Sequence, residues 1–282
     1  MITDLKITIL CENTVGVPIG VTGEWGSSIL LEVPELTLLF DTGADGALVP
    51  NARALGIDLA TVDLVVLSHG HYDHTGGLRA FLQYYQRPIP VVAHPEVFSI
   101  RFADTETGRR HIGVPFRRQE LESLGANFRF ATDPLELVDG LFVSGEVPRR
   151  SDGEGDQRLV VLEGNRAKPD PFLDDLSIYA ITDRGLVIVL GCAHAGVVNI
   201  VEHAREVTGV KKVHAVIGGT HLGPINPLQR KYALDYLRSL DLDLLAANHC
   251  TGLPVMAAMA GIFGERFRFA SVGTVFTLPF GH

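Results

Sequence analysis

No stretch limits this chain as tightly as Leu64-Val65-Val66-Leu67-Ser68-His69-Gly70-His71-Tyr72-Asp73-His74-Thr75-Gly76-Gly77. The four aliphatic residues predict a buried strand, and Gly77-Leu78-Arg79-Ala80-Phe81-Leu82 predicts the start of a helix. The polar residues between them therefore sit at the carboxyl end of a strand, where α/β proteins place their chemistry. Neutral imidazoles and carboxylates are the donors that first-row divalent metals take. In an extended loop His69 and His71 point the same way and can share one metal. Asp73 and His74 follow the turn and reach a second metal beside the first.

Four further strand ends carry donor groups. Leu36–Phe40 runs into Asp41-Thr42-Gly43, and Leu186–Leu190 into Gly191-Cys192-Ala193-His194. Val213–Ile217 ends in Gly218-Gly219-Thr220-His221, and Leu242–Ala246 leads to Asn248-His249-Cys250. One strand-end histidine is weak evidence. Several at one edge, beside a metal motif, predict a shared site. Asp41 is suited to accept the free N–H of a ligating histidine and fix its tautomer. Asp41–Gly46 is not a calcium loop, because Gly43 stands where a ligand is needed and Ala52 where the closing acid would be. Neither a GxxxxGK phosphate loop nor a GxSxG nucleophile elbow occurs.

Composition narrows the function. With 282 residues and 46% hydrophobic content the chain can bury a sizeable core, and a net charge of -9 argues against nucleic acid as a partner. Three widely spaced cysteines imply no disulfide framework. The amino terminus does not read as a signal peptide, and Leu253–Gly264 is too short to span a bilayer. These features predict a soluble, cytoplasmic protein. Strands open each half of the chain, and strands alternating with helices follow. This grammar predicts two β-rich sheets with helices outside both, as a single domain over 1–282. Residues 98–118, rich in arginine, and 145–171, long and polar, read as excursions or lid loops. The arginines at 101–118 are either solvated surface or an anion clamp. His94 is either near the site or structural, and His111, His203 and His214 read as surface or helix residues.

The run His69-Gly70-His71-Tyr72-Asp73-His74 resembles the HxHxDH signature of the metallo-β-lactamase superfamily, and Asp41-Thr42-Gly43 its first motif. Gly145-Glu146-Val147-Pro148-Arg149, Asp174-Asp175, Gly191–Gly196, Ile217–Leu222 and His249-Cys250-Thr251-Gly252 resemble one branch of it. That branch is named for 7,8-dihydropterin-6-methyl-4-(β-D-ribofuranosyl)aminobenzene 5'-phosphate synthase. The resemblance implies an α+β fold, an αββα sandwich of two mixed sheets with metals at one edge. It implies His69, His71, Asp73, His74, His194 and His249 as ligands. Asp174 and Asp175 stand near a histidine usual in the superfamily, and Cys192 stands where a metal-bridging aspartate is usual. Asp175 and Cys192, like Asp41, are therefore either ligands or partners of ligands. For Cys192 the alternative is a small buried filler; as a thiolate it favours zinc.

The activity expected is hydrolysis by a dinuclear metal site using a metal-activated water, on a small anionic, phosphoester-like substrate. The cofactor is two divalent ions, Zn with Mn or Fe as alternatives. Asp73 enters catalysis as a metal ligand, not as a free base. His221 either stands behind a ligand or faces the substrate, it or a metal-bound water protonates the leaving group, and Arg149 binds substrate anion. Phosphoribosyl transfer to a p-aminobenzoate-type acceptor and a metal-stabilised sensor module are the alternatives.

Overall fold

The computed structural model describes residues 1–150, 156 and 158–280. In the first half the strands are β1 (Lys6–Cys11), β2 (Ser28–Val33), β3 (Leu36–Phe40), β4 (Leu64–Val66), β5 (Ile89–Ala93), β6 (Arg101–Thr105), β7 (Gly108–His111) and β8 (Ala126–Phe130). The helices there are α1 (Leu48–Ala54), α2 (Tyr72–Thr75), α3 (Leu78–Tyr85) and α4 (Arg118–Ser123). The second half continues with β9 (Leu135–Val138), β10 (Leu141–Val143), β11 (Leu159–Glu163), β12 (Arg166–Pro169), β13 (Ser177–Thr182) and β14 (Gly185–Leu190). Then come α5 (Val197–Thr208), β15 (Val213–Gly219), α6 (Pro227–Ser239), β16 (Leu244–Asn248), α7 (Leu253–Phe263), β17 (Phe267–Phe269) and β18 (Val275–Thr277).

Two seven-stranded sheets result, ordered β18-β1-β2-β3-β4-β5-β8 and β17-β16-β15-β14-β13-β10-β9. Alternation along each strand sorts side chains between two faces. Ile7, Ile9, Ile29, Leu31, Leu38 and Phe40 meet Ile178, Val187, Val189 and Ile217 of the other sheet in one buried cluster. The opposite faces pack against helices. Leu10, Leu30, Leu39 and Val65 lie with Leu48, Phe81 and Leu121 of α1, α3 and α4. Leu186, Ile188 and Val216 lie with Val201, Leu237 and Met259 of α5, α6 and α7. This is the expected αββα sandwich. Local chemistry sets the helix limits: Asn226 Oδ1 accepts from the amides of Leu228 and Gln229 ahead of Pro227, and Gly209 closes α5 at φ +72°.

β3, β4, β5 and β8 run parallel, as do β14, β15, β16 and β17. The carboxyl ends of β3, β4, β14, β15 and β16 deliver Asp41, His69, Cys192, His221 and His249 to the edge between the sheets.

The two excursions carry strands of their own. Part of 98–118 forms the hairpin β6–β7, and the described part of 145–171 contributes β11 and β12. They join in a four-stranded sheet, β12-β11-β6-β7, with β6 antiparallel to β11. Residues 151–155 and 157 of the expected loop lie outside the described residues. Among the described residues no helix is long and apolar enough to cross a membrane.

Candidate metal centre

Asp41 turns the chain out of β3 with φ +63°, an uncommon value for a non-glycine residue. It is fully buried and fully used. Oδ1 accepts from the Ser68 amide at 2.7 Å, and Oδ2 accepts from Ser68 Oγ at 2.7 Å and from His74 Nδ1 at 2.6 Å. His74 therefore carries its proton on Nδ1 and turns Nε2 inward, 3.2 Å from His249 Nε2 and 3.1 Å from Cys192 Sγ. His69 Nε2 lies 3.0 Å from His71 Nδ1, and both rings meet the His194 ring with centroids 4.7 and 4.9 Å away. Asp73 Oδ2 lies 3.5 Å from His249 Nε2. Gly70, between the first two histidines, is obligatory, because a Cβ there would sit 1.9 Å from the Val97 carbonyl oxygen.

The ligand atoms fall into close groups: His69, His71 and His194; Asp73, His74 and His249; and His69, His74 and Cys192. Each group lies within 4.8 Å and is buried. Buried polar atoms are normally hydrogen-bonded. Yet among the described residues His71 Nε2 and both ring nitrogens of His194 have no hydrogen-bond partner. Unpartnered imidazole nitrogens converging with a carboxylate and a thiol are the donor chemistry of a zinc-class ion, so these residues fit a bound metal.

Burial holds His69, His71 and His194 well below the usual histidine range, with neighbouring histidines adding to it. Neutral imidazole is the ligating form. Burial also depresses His74, but the Asp41 carboxylate outweighs it and lifts that ring to about 9. Burial opposes ionisation of Asp73, yet the His249 and His74 rings hold it well below the carboxylate range. Burial raises Asp175 to about 7. It also raises Cys192, whereas at Cys250 the Cys192 thiol and His221 overcome burial and lower the thiol. His221 is raised to about 9, because Asp156 and Cys250 outweigh its burial.

The aspartate pair divides. Asp174 faces away from the histidines: Oδ1 accepts from Arg101 Nη2 at 2.8 Å and Oδ2 from the Gly70 amide at 2.8 Å. Arg101, 2% exposed, also donates through Nε to Asp170 at 2.7 Å. Asp175 Oδ2 accepts from the Ala195 amide at 2.8 Å, steadying the turn that carries His194. Arg149 does the same: its Nη2 donates to the His194 carbonyl oxygen at 3.0 Å, and its guanidinium lies over Phe172, which stacks on the His194 ring at 4.1 Å. The arginine expected to bind substrate thus touches the back of a candidate ligand.

A cavity of about 500 Å³ opens over His71, Asp73, His194, His221 and His249. The four-stranded sheet flanks it with Arg110, Ile112, Arg158 and Leu159, and Trp25 and Tyr72 complete the rim. Of the 101–118 arginines, Arg110 reaches the cavity, over the Tyr72 ring at 5.7 Å, while Arg101 is buried and Arg109 pairs with Asp104 at the surface.

Sequence reasoning missed Glu12 and Asn13. Glu12, 1% exposed, accepts from the His249 amide at 2.8 Å, and Asn13 Oδ1 lies 3.1 Å from His249 Nδ1. Both follow β1, so the strand-end rule that found the other donors also pointed here. His203 and His214, read as surface or helix residues, are both buried. His203 is on α5 beside the Tyr179 hydroxyl, and His214 is on β15 paired with Asp243 at 2.6 Å. His94 is structural, bonded to Glu146 at 3.0 Å.

An αββα sandwich with histidine and carboxylate donors at its strand ends is the arrangement of metallo-beta-lactamase proteins. The family model for the metallo-beta-lactamase superfamily matches residues 22–208, and the chain belongs to that superfamily. Within it, the chain is 30% identical to the 7,8-dihydropterin-6-methyl-4-(beta-D-ribofuranosyl)-aminobenzene-5'-phosphate synthase of Methanocaldococcus jannaschii, over 97% of each chain. Among solved structures, a metal-dependent hydrolase of the beta-lactamase superfamily superposes with a TM-score of 0.82 at 26% identity, covering 96% of this chain and 98% of the other. A zinc-bound PqqB from Methylobacterium extorquens (TM-score 0.57, 14% identity, 96% and 99% covered) shares the fold. So does a diphosphatase of the PhnP family (0.54, 15%, 99% and 98%).

Proposed function

We propose that this chain is a dinuclear metal-dependent hydrolase acting on a small anionic, phosphoester-like substrate. The observation that carries the reading is the pair of buried donor groups side by side, His69-His71-His194 and Asp73-His74-His249, under one cavity. Cys192 Sγ, 3.1 Å from His74 Nε2, stands where it can touch both. Bound divalent ions would supply Lewis acidity and an activated water. The chain's own residues do the rest. Asp41 holds the His74 proton on Nδ1, and Asn13 lies beside His249 Nδ1, so that Nε2 of each ring faces inward. Asp73 stays ionised and acts as a ligand. Arg110 on the flanking sheet offers a cation to a substrate anion, and Arg158, paired with Asp156, adds a second polar contact there. Trp25, Ile112 and Leu159 give the cavity apolar surface for the rest of the molecule. Removal of metal by chelation should abolish turnover on a panel of phosphomonoesters, phosphodiesters and lactones, and Zn or Mn should restore it. Full turnover by the chelated protein would sink the reading.

The name of the methanogen relative favours a second reading, synthesis of a ribofuranosyl aminobenzene phosphate in the same cavity. Incubation with phosphoribosyl pyrophosphate and p-aminobenzoate discriminates: a coupled product supports synthesis, and simple hydrolysis of the donor supports the first reading.

A further inference from the structure

Two thiols and an imidazole meet at the cavity floor beside the groups already described. Cys192 follows β14, His221 follows β15 and Cys250 follows β16, three adjacent parallel strands. Their ligand atoms all lie within 4.8 Å of one another and are buried. The backbone is shaped for this approach. His221 is held at φ +52°, an uncommon value for a non-glycine residue. Gly219 is needed beneath it, because a Cβ there would lie 2.7 Å from Cys250 Sγ. Among the described residues neither ring nitrogen of His221 has a hydrogen-bond partner, and the nearest carboxylate oxygen, on Asp156, is 3.8 Å from Nε2. If the cysteines are only apolar filler, the imidazole is left with the 3.8 Å approach of Asp156 and no hydrogen bond among the described residues. A shared metal ion accounts for all three side chains.

We propose that Cys192, His221 and Cys250 form a third, thiolate-rich metal position that takes a zinc-class ion. Two sulfurs and one nitrogen make it the softest donor set in the cavity, and three protein donors leave a fourth position open. It rests on the histidine reading above only through Cys192, whose Sγ also approaches His74. His221 is then a ligand, in place of the proton-donor role its sequence position suggested.

Anaerobic loading with Co(II) tests this without recourse to activity. Thiolate ligation gives an intense sulfur-to-cobalt charge-transfer band in the near ultraviolet. The wild type should show it, and Cys250→Ser should weaken it and lower the metal count by about one equivalent per chain. His221→Gln keeps both thiols and serves if the serine variant misfolds. It should also lower the count by about one equivalent and change the band. Cys11→Ser, at a buried thiol elsewhere, should leave the band intact. No charge-transfer band in the wild type, or an unchanged band and count in both Cys250→Ser and His221→Gln, overturns the proposal. The histidine reading fails separately: a His69→Ala, His71→Ala variant that keeps its full metal count would remove that reading and leave the thiolate position standing.

Discussion

The amino-terminal wall of the cavity takes His69, His71, Asp73 and His74 from six consecutive residues, whereas the carboxy-terminal wall collects His194, His221 and His249 from three separate strand ends. The first wall is held by full charges: Asp41 grips His74 and Ser68, and the buried Arg101–Asp174 pair grips the Gly70 amide. In the second, charged side chains reach only backbone, with Arg149 on the His194 carbonyl, Asp175 on the Ala195 amide and Glu12 on the His249 amide; the His249 ring itself meets the neutral Asn13, and φ is positive at Ala193, His221 and His249. A dense local motif fixes its spacing through the chain itself. A dispersed one relies on β14, β15 and β16 staying in register. The contrast predicts that the buried ion pair and the charged ring partner of the first wall matter more than the neutral ring partner of the second.

Arg101→Met should show the largest effect. It leaves Asp170 and Asp174 buried without their cation, which costs about 3–5 kcal/mol of stability, read from denaturant unfolding. Replacing the arginine and both aspartates together with apolar residues should recover most of that loss. A single Arg101→Met variant as stable as wild type would break the contrast. Next, Asp41→Asn keeps the shape but removes the charge behind His74. Zinc affinity should fall by about 10–100-fold in competition with a chromogenic chelator. Asn13→Ala removes a neutral partner of His249 and should cost less, about 10-fold in the same assay. If Asn13→Ala proves the more damaging of the two, charge on the ring partner is not what separates the walls.

The same contrast governs what could be read from the sequence. Residues 64–77 show strand, loop and helix start in one window, so the motif and its place in the fold were both legible. His194, His221 and His249 were found because each follows an aliphatic run, a local signal repeated. Glu12 and Asn13 carry that signal too, but their glycine-rich loop has no histidine to draw attention. Arg101 has no local signal, since its meaning lies in carboxylates about seventy residues away, at Asp170 and Asp174. The pairing of 98–118 with 145–171 is equally non-local: neither segment alone reveals that β6 will find β11. His203 does lie on a helix, though its burial beside Tyr179 has no local signal, and His214 was misread because a strand histidine looks the same whether its partner is water or Asp243.

Arg101 stands on β6, inside the sheet that flanks the cavity, while its partner Asp174 holds the amide between His69 and His71. The sheet that flanks the cavity is therefore wired to the loop that carries the candidate ligands. Anyone transplanting another hairpin onto this scaffold to redirect it must carry an arginine at that position, or redesign both aspartates with it. Otherwise a change made for selectivity would be felt first as a loosened metal loop. On the proposed reading, selectivity and chemistry would not be independent modules; they would have to drift, or be engineered, together.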